Sequence, residues 1–189
     1  DIQTLTINLA NTLLVDGTLT ATVTTTATGG RGGAITFAVS AGSGSATVDS
    51  STGLITGVSI GTVTLIATTL GDSAYSGASD SQLITIEKTT PTLSITSAAV
   101  LLSDGSLSIT VVSTATYGRG GAFTFAVSAG SGSATINPNT GFLTMTAAGT
   151  VIVTATSAGD TNYYAATISQ TTIAIPIVIL TFVPPSGSI

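Results

Sequence analysis

RGGAITFAVSAGSGSAT runs from Arg31 to Thr47, and RGGAFTFAVSAGSGSAT runs from Arg119 to Thr135. The two phrases differ only where Ile35 becomes Phe123, and they lie 88 positions apart. That spacing is too long for a solenoid repeat and a good length for one small domain. The phrase also sets the local structure. Ile35-Thr36-Phe37-Ala38-Val39 alternates apolar and small or polar side chains, the period of a half-buried strand, and Gly-Ser-Gly then marks a turn.

Working outward, the copies align without a gap. Leu5 falls on Leu93, Asp16-Gly17 on Asp104-Gly105, Thr52-Gly53 on Thr140-Gly141, Gly71-Asp72 on Gly159-Asp160 and Tyr75 on Tyr163. Alternation recurs in Leu5–Leu9, Leu19–Val23, Val63–Thr68 and Leu83–Ile86, always with β-branched residues. No window carries a helical period. About seven short strands in each half predict an all-β protein of two tandem Ig-like β-sandwiches, placed end to end. The domains are expected at residues 1–88 and 89–175, joined through Glu87-Lys88-Thr89-Thr90-Pro91, a linker short enough to limit their freedom. Residues 176–189 have no counterpart upstream and form a separate, unpaired β segment.

Composition narrows the function. Charged residues make up 6 % of the 189 residues and the net charge is −5. Only Arg31, Lys88 and Arg119 are basic, too few to displace counterions from a nucleic acid or to hold an anionic membrane surface. With so few charges, Ser and Thr hydroxyls must hydrate the surface. The apolar run Ile175–Val183 is about half of what a membrane span requires. The absence of Cys excludes disulfides and thiolate metal sites. There is no His, and Glu87 is the only Glu. Acid–base chemistry needs two groups held close with separated pKa values, whereas Asp16, Asp49, Asp72, Asp104 and Asp160 sit beside Gly, Ser or Thr, where Asx turns form. No enzyme and no cofactor are expected.

The remaining candidates concern binding. A calcium ion at the domain boundary would draw on Glu87, Asp80 and Asp104, fewer oxygens than calcium wants, so no metal is expected. Arg31 and Arg119 each stand among glycines on a tight loop. They either contact a neighbouring domain, a subunit or an acidic glycan, or form a bidentate tie to Asp72 and Asp160 of their own domains. Tyr75 and Tyr163 are expected to lie over the sandwich end with the hydroxyl on backbone. Tyr164, with Ser76 in the matching place, is a candidate exposed contact. Thr-rich strands raise ice binding, but the run Thr22–Thr26 breaks the alternation and a sandwich sheet is twisted, not flat.

Three segments resemble two known families. Ser45–Tyr75 and Ser133–Tyr163, with their Thr-Gly turn, Gly-Thr-Val strand opening and Gly-Asp-x-x-Tyr loop, are similar to bacterial Ig-like repeats of large cell-surface proteins. The resemblance covers about residues 5–175 and implies an extracellular, structural or adhesive role. Leu180–Gly187 resembles the opening of an Ig-like, plexin and transcription-factor repeat. The tail therefore either begins a further domain or is a donor strand inserted beside a strand of the next subunit, through Ile177, Ile179, Leu180 and Phe182. Self-association or neighbouring domains are the expected partners, alongside a glycan or cell-surface ligand. Asp72-Ser73-Ala74 resembles the short O-glycosylation signal of Bacteroidetes, placing a glycan on Ser73. A carbohydrate-binding accessory module is the other functional class, although the chain has no Trp.

Overall fold

The computed structural model describes residues 1–116 and 119–177. Within them the chain is built from strands and turns, and it divides into two compact units. Unit 1 contains Asp1–Pro91 together with Ala115–Gly121 and Gly159–Ala165. Unit 2 contains Thr92–Thr114, Ala122–Ala158 and, among the described residues, 166–177.

In unit 1 the strands are β1 (Leu5–Asn8), β2 (Thr12–Leu14), β3 (Thr18–Thr20), β4 (Thr22–Thr25), β5 (Ile35–Ala41), β6 (Ser45–Val48), β7 (Leu54–Ser59), β8 (Gly61–Gly71) and β9 (Ser76–Glu87). One layer is the four-stranded sheet β2-β9-β8-β5. The other is formed by β3-β7-β6 and by the pair β1-β4. Nine strands stand where about seven are expected because two long strands are each drawn as two. Ala21 alone separates β3 from β4. The first strand changes sheets, pairing antiparallel with β4 as β1 and then parallel with β9 as β2.

Alternation places the core. Along β8 the buried side chains are Val63, Leu65, Ala67 and Thr69, one in every two. The three apolar ones pack in one buried cluster with Ile84, Ile86 and Leu13 of the same sheet and with Leu5, Ile7, Val15, Ala21 and Ile55. At roughly 1.5–3 kcal/mol for each fully buried large apolar side chain, this set holds the sandwich without disulfides.

Unit 2 repeats the plan with β10 (Leu93–Ile95), β11 (Val100–Leu102), β12 (Ser106–Ser108), β13 (Val111–Ser113), β14 (Phe123–Ala129), β15 (Ser133–Ile136), β16 (Phe142–Ala147), β17 (Gly149–Ser157) and β18 (Ala166–Ile175). The sheets are β11-β18-β17-β14 and β12-β16-β15, with the pair β10-β13. Its core is smaller, around Ile109, Leu143, Met145, Val151, Val153 and Ala174. Pro176 and Ile177 follow β18 outside any strand, and the tail from residue 178 lies outside the described residues.

Candidate interaction surfaces

Three surfaces carry the residues of interest. The first is a cluster inside unit 1, formed where Thr116, Arg119 and the loop 159–165 meet the β2–β3 turn and the β7–β8 turn. Asp16 adopts a left-handed backbone, φ 60°. Its side chain does not cap its own turn, as the Asp-Gly pattern suggests. Thr116 Oγ1 donates to Asp16 Oδ1 at 2.6 Å, and the Tyr163 hydroxyl donates to Asp16 Oδ2. Tyr163 is 1 % exposed and packs against the unit 1 core. The Ile60 N–H donates to Asn162 Oδ1 at 3.0 Å, and Arg119 Nη1 donates to the Val58 carbonyl. Lys88 Nζ donates to the Asp160 carbonyl at 2.7 Å and stands 5.6 Å from the Tyr164 ring centre. Tyr164 itself remains 56 % exposed.

The second surface is the loop pair of the first repeat, residues 26–33 and 71–76. The guanidinium tie expected there is replaced by backbone. Gly32, at φ 96°, turns its N–H onto Asp72 Oδ2 at 2.7 Å, and Gly120, also at φ 96°, does the same to Asp160 Oδ2 at 2.8 Å. Ala74 and Tyr75 N–H groups complete the Asp72 turn. These donors, Gly32 first, hold the Asp72 carboxyl below its ordinary pKa, and the field of Arg31 adds to them. Gly120 leads the same effect at Asp160. Arg31 is exposed. The Tyr75 hydroxyl lies 3.4 Å from the Thr28 nitrogen, which donates to it, and 3.2 Å from Thr28 Oγ1. Ser73 is exposed in the same turn.

The third is the outer face of the β11-β18-β17 sheet. Val100 pairs with Ile173 and Leu102 with Ile175. These four and Ile152 of β17 are each between 42 and 52 % exposed, and Ile177 beyond β18 is 46 % exposed. The corresponding residues of the first repeat are Thr12, Leu14, Thr64, Thr85 and Glu87. At four of the five positions the first repeat is thus polar where the second is apolar; Leu14 is the exception. Ile179, Leu180 and Phe182 lie outside the described residues.

Of the calcium candidates, Asp80 accepts from the Ile7 and Ser81 amides, while Glu87 and Asp104 are exposed. Among the described residues no three carboxylates converge. No described helix is long and apolar enough to cross a membrane.

Comparison with known proteins gives the setting. Residues 3–74 match the family of bacterial Ig-like domains, group 2. Over those residues the first repeat is similar to bacterial Ig-like domains, a kind of module typical of surface and extracellular proteins and typically non-catalytic. No curated protein matches the sequence. Among solved structures, the fibronectin(III)-like modules of Clostridium thermocellum CbhA align over 91 % of this chain and 94 % of theirs, at 15 % identity and a TM-score of 0.36. A C-terminal fragment of intimin, solved in complex with the intimin-binding domain of its translocated receptor, aligns over 90 % of this chain and 63 % of its own, at 18 % identity and a TM-score of 0.32. The Parabacteroides merdae β-glucuronidase aligns over 87 % of this chain and 24 % of its own, at 14 % identity and a TM-score of 0.28.

Proposed function

We propose that this chain is a non-enzymatic, extracellular structural segment of a bacterial surface protein, working as a stalk element or as the repeating subunit of a surface filament. The observation that carries the reading is the duplication of one sandwich, first copy matched to bacterial Ig-like domains, with its strands and turns retained and its surface altered. Duplication of a core lengthens a protein; it adds no reactive group.

The strand order suits load. In each repeat a short early strand runs parallel to the last one, β2 beside β9 and β11 beside β18. Pulling a parallel pair from the start of one strand and the end of the other loads their hydrogen bonds together, in shear. Strands β5 and β14, of 7 residues each, are the outer strands of their four-stranded sheets, the geometry that strand addition from another subunit uses. Assembly through the segment that begins at Pro176 belongs to this proposal.

Antibody labelling of intact bacterial cells that produce the chain tests the setting, and pulling single molecules tests the mechanics. The reading expects surface label and two unfolding events, each releasing about 300 Å of chain at roughly 3.5 Å per residue. Label only after permeabilisation, or extension without force peaks, refutes it. Binding on a glycan array would favour the carbohydrate-binding class instead.

A further inference from the structure

The cluster around Asp16 has a second, unfilled half. Shifted by one repeat, the residues that hold the Asp16 turn become Thr28 for Thr116, Arg31 for Arg119 and Tyr75 for Tyr163. They are already arranged alike. The Thr28 nitrogen stands 3.4 Å from the Tyr75 hydroxyl, and the Thr116 nitrogen 3.1 Å from the Tyr163 hydroxyl. Asp72 and Asp160 brace the two loops through the same glycine N–H. The approach of the chain is also copied: the Ser76 N–H donates to the Asp1 carbonyl at 2.8 Å, as the Tyr164 N–H donates to that of Thr89 at 2.9 Å. Asp1 stands where Thr89 stands. Yet Tyr163 is buried on Asp16, while Tyr75 is only half-buried and Arg31 is exposed.

We propose that Thr28, Arg31 and Tyr75 form a docking site for the Asp-Gly turn of a further Ig-like repeat joined ahead of Asp1. The two carboxylate oxygens of that turn accept from the Thr28 and Tyr75 hydroxyls, and Arg31 reaches a carbonyl of the neighbouring β-turn. The occupant follows from the filled copy: the same three side-chain types already hold an Asp-Gly turn in unit 1, two on its carboxylate and the arginine on a neighbouring carbonyl. Ala74 in place of Asn162 removes one bond, so this joint is the weaker of the two. The inference rests on reading the chain as one segment of a tandem array.

The test adds a further copy of residues 1–88 ahead of Asp1 and follows amide hydrogen exchange. At the Thr28 amide, exchange slows about tenfold relative to the 189-residue chain, the worth of one charge-assisted hydrogen bond. Asp16→Asn in the added copy alone restores the original rate, and Tyr75→Phe, which also removes the acceptor of the Thr28 amide, raises it beyond that. Both are conservative, and Asn tolerates the left-handed backbone of Asp16. Unchanged exchange, or slowing that survives both substitutions, overturns the proposal, as does protection that appears without the added copy and rises with protein concentration. Cell-surface labelling is independent, so failure of either experiment leaves the other standing.

Discussion

Thr172 brings a hydroxyl into the middle of the unit 2 core. It is fully buried, and its Oγ1 has no hydrogen-bond partner. The first repeat has Ile84 at this place, also fully buried. A buried hydroxyl without a partner retains its desolvation cost, so Thr172→Val stabilises unit 2 by about 1 kcal/mol, measured by urea unfolding. A second exchange runs the other way. Gly57 faces the unit 1 core beside buried Val15, and a Cβ there would meet the Leu14 carbonyl oxygen at 2.6 Å. The second repeat carries Met145 and Ser103 at these places, with Met145 buried. Bulk has moved between neighbouring strands, so Gly57→Met alone destabilises unit 1 and lowers its melting temperature. Carboxylates set the acid limit. Asp72 and Asp160 have folded pKa values below their unfolded ones, so their contribution is present above the unfolded value near 4 and lost as pH falls through the folded value. Melting temperature therefore drops below about pH 4, and Asp72→Asn with Asp160→Asn flattens that drop.

At the scale of elements, alternation in the sequence was enough for the strands. Val63, Leu65 and Ala67 point inward as their spacing requires, with Thr64 and Thr68 on the other face. What alternation does not encode is where a strand changes partner. Asn11 interrupts the alternation of Leu5–Leu14 between β1 and β2, but it does not say that the two halves take different partners; the switch becomes visible only once β4 and β9 are in place to receive them. The apolar strip on β11, β17 and β18 was readable by comparing repeats, because Thr64 and Thr85 of the first align with Ile152 and Ile173 of the second. Burial decides which of those differences matter, and these lie outside the core. Replacing Ile152 and Ile173 by Thr is expected to lower binding of a hydrophobic dye with little loss of stability, since both side chains remain over 40 % exposed.

For the whole molecule, the cluster at Asp16 was the part the sequence hid. Asp16-Gly17 and Asp104-Gly105 look alike, as do Tyr75 and Tyr163, so repetition suggests equal roles. Only folding brings Asp16 to Tyr163, 147 residues away, and it leaves Asp104 exposed. Tyr163→Phe is expected to cost unit 1 about 1–2 kcal/mol, seen as faster amide exchange through β7 and β8, while Tyr75→Phe in the same chain costs less.

The three basic side chains have different surroundings, and this decides where a protease can begin. Trypsin cuts only after Lys or Arg and must take that side chain into its own acidic pocket. Lys88 holds the Asp160 carbonyl and Arg119 holds that of Val58, whereas Arg31 stands exposed on a glycine loop. Trypsin digestion of the native protein is therefore expected to start with a single nick after Arg31, the one basic side chain of the three that stands exposed.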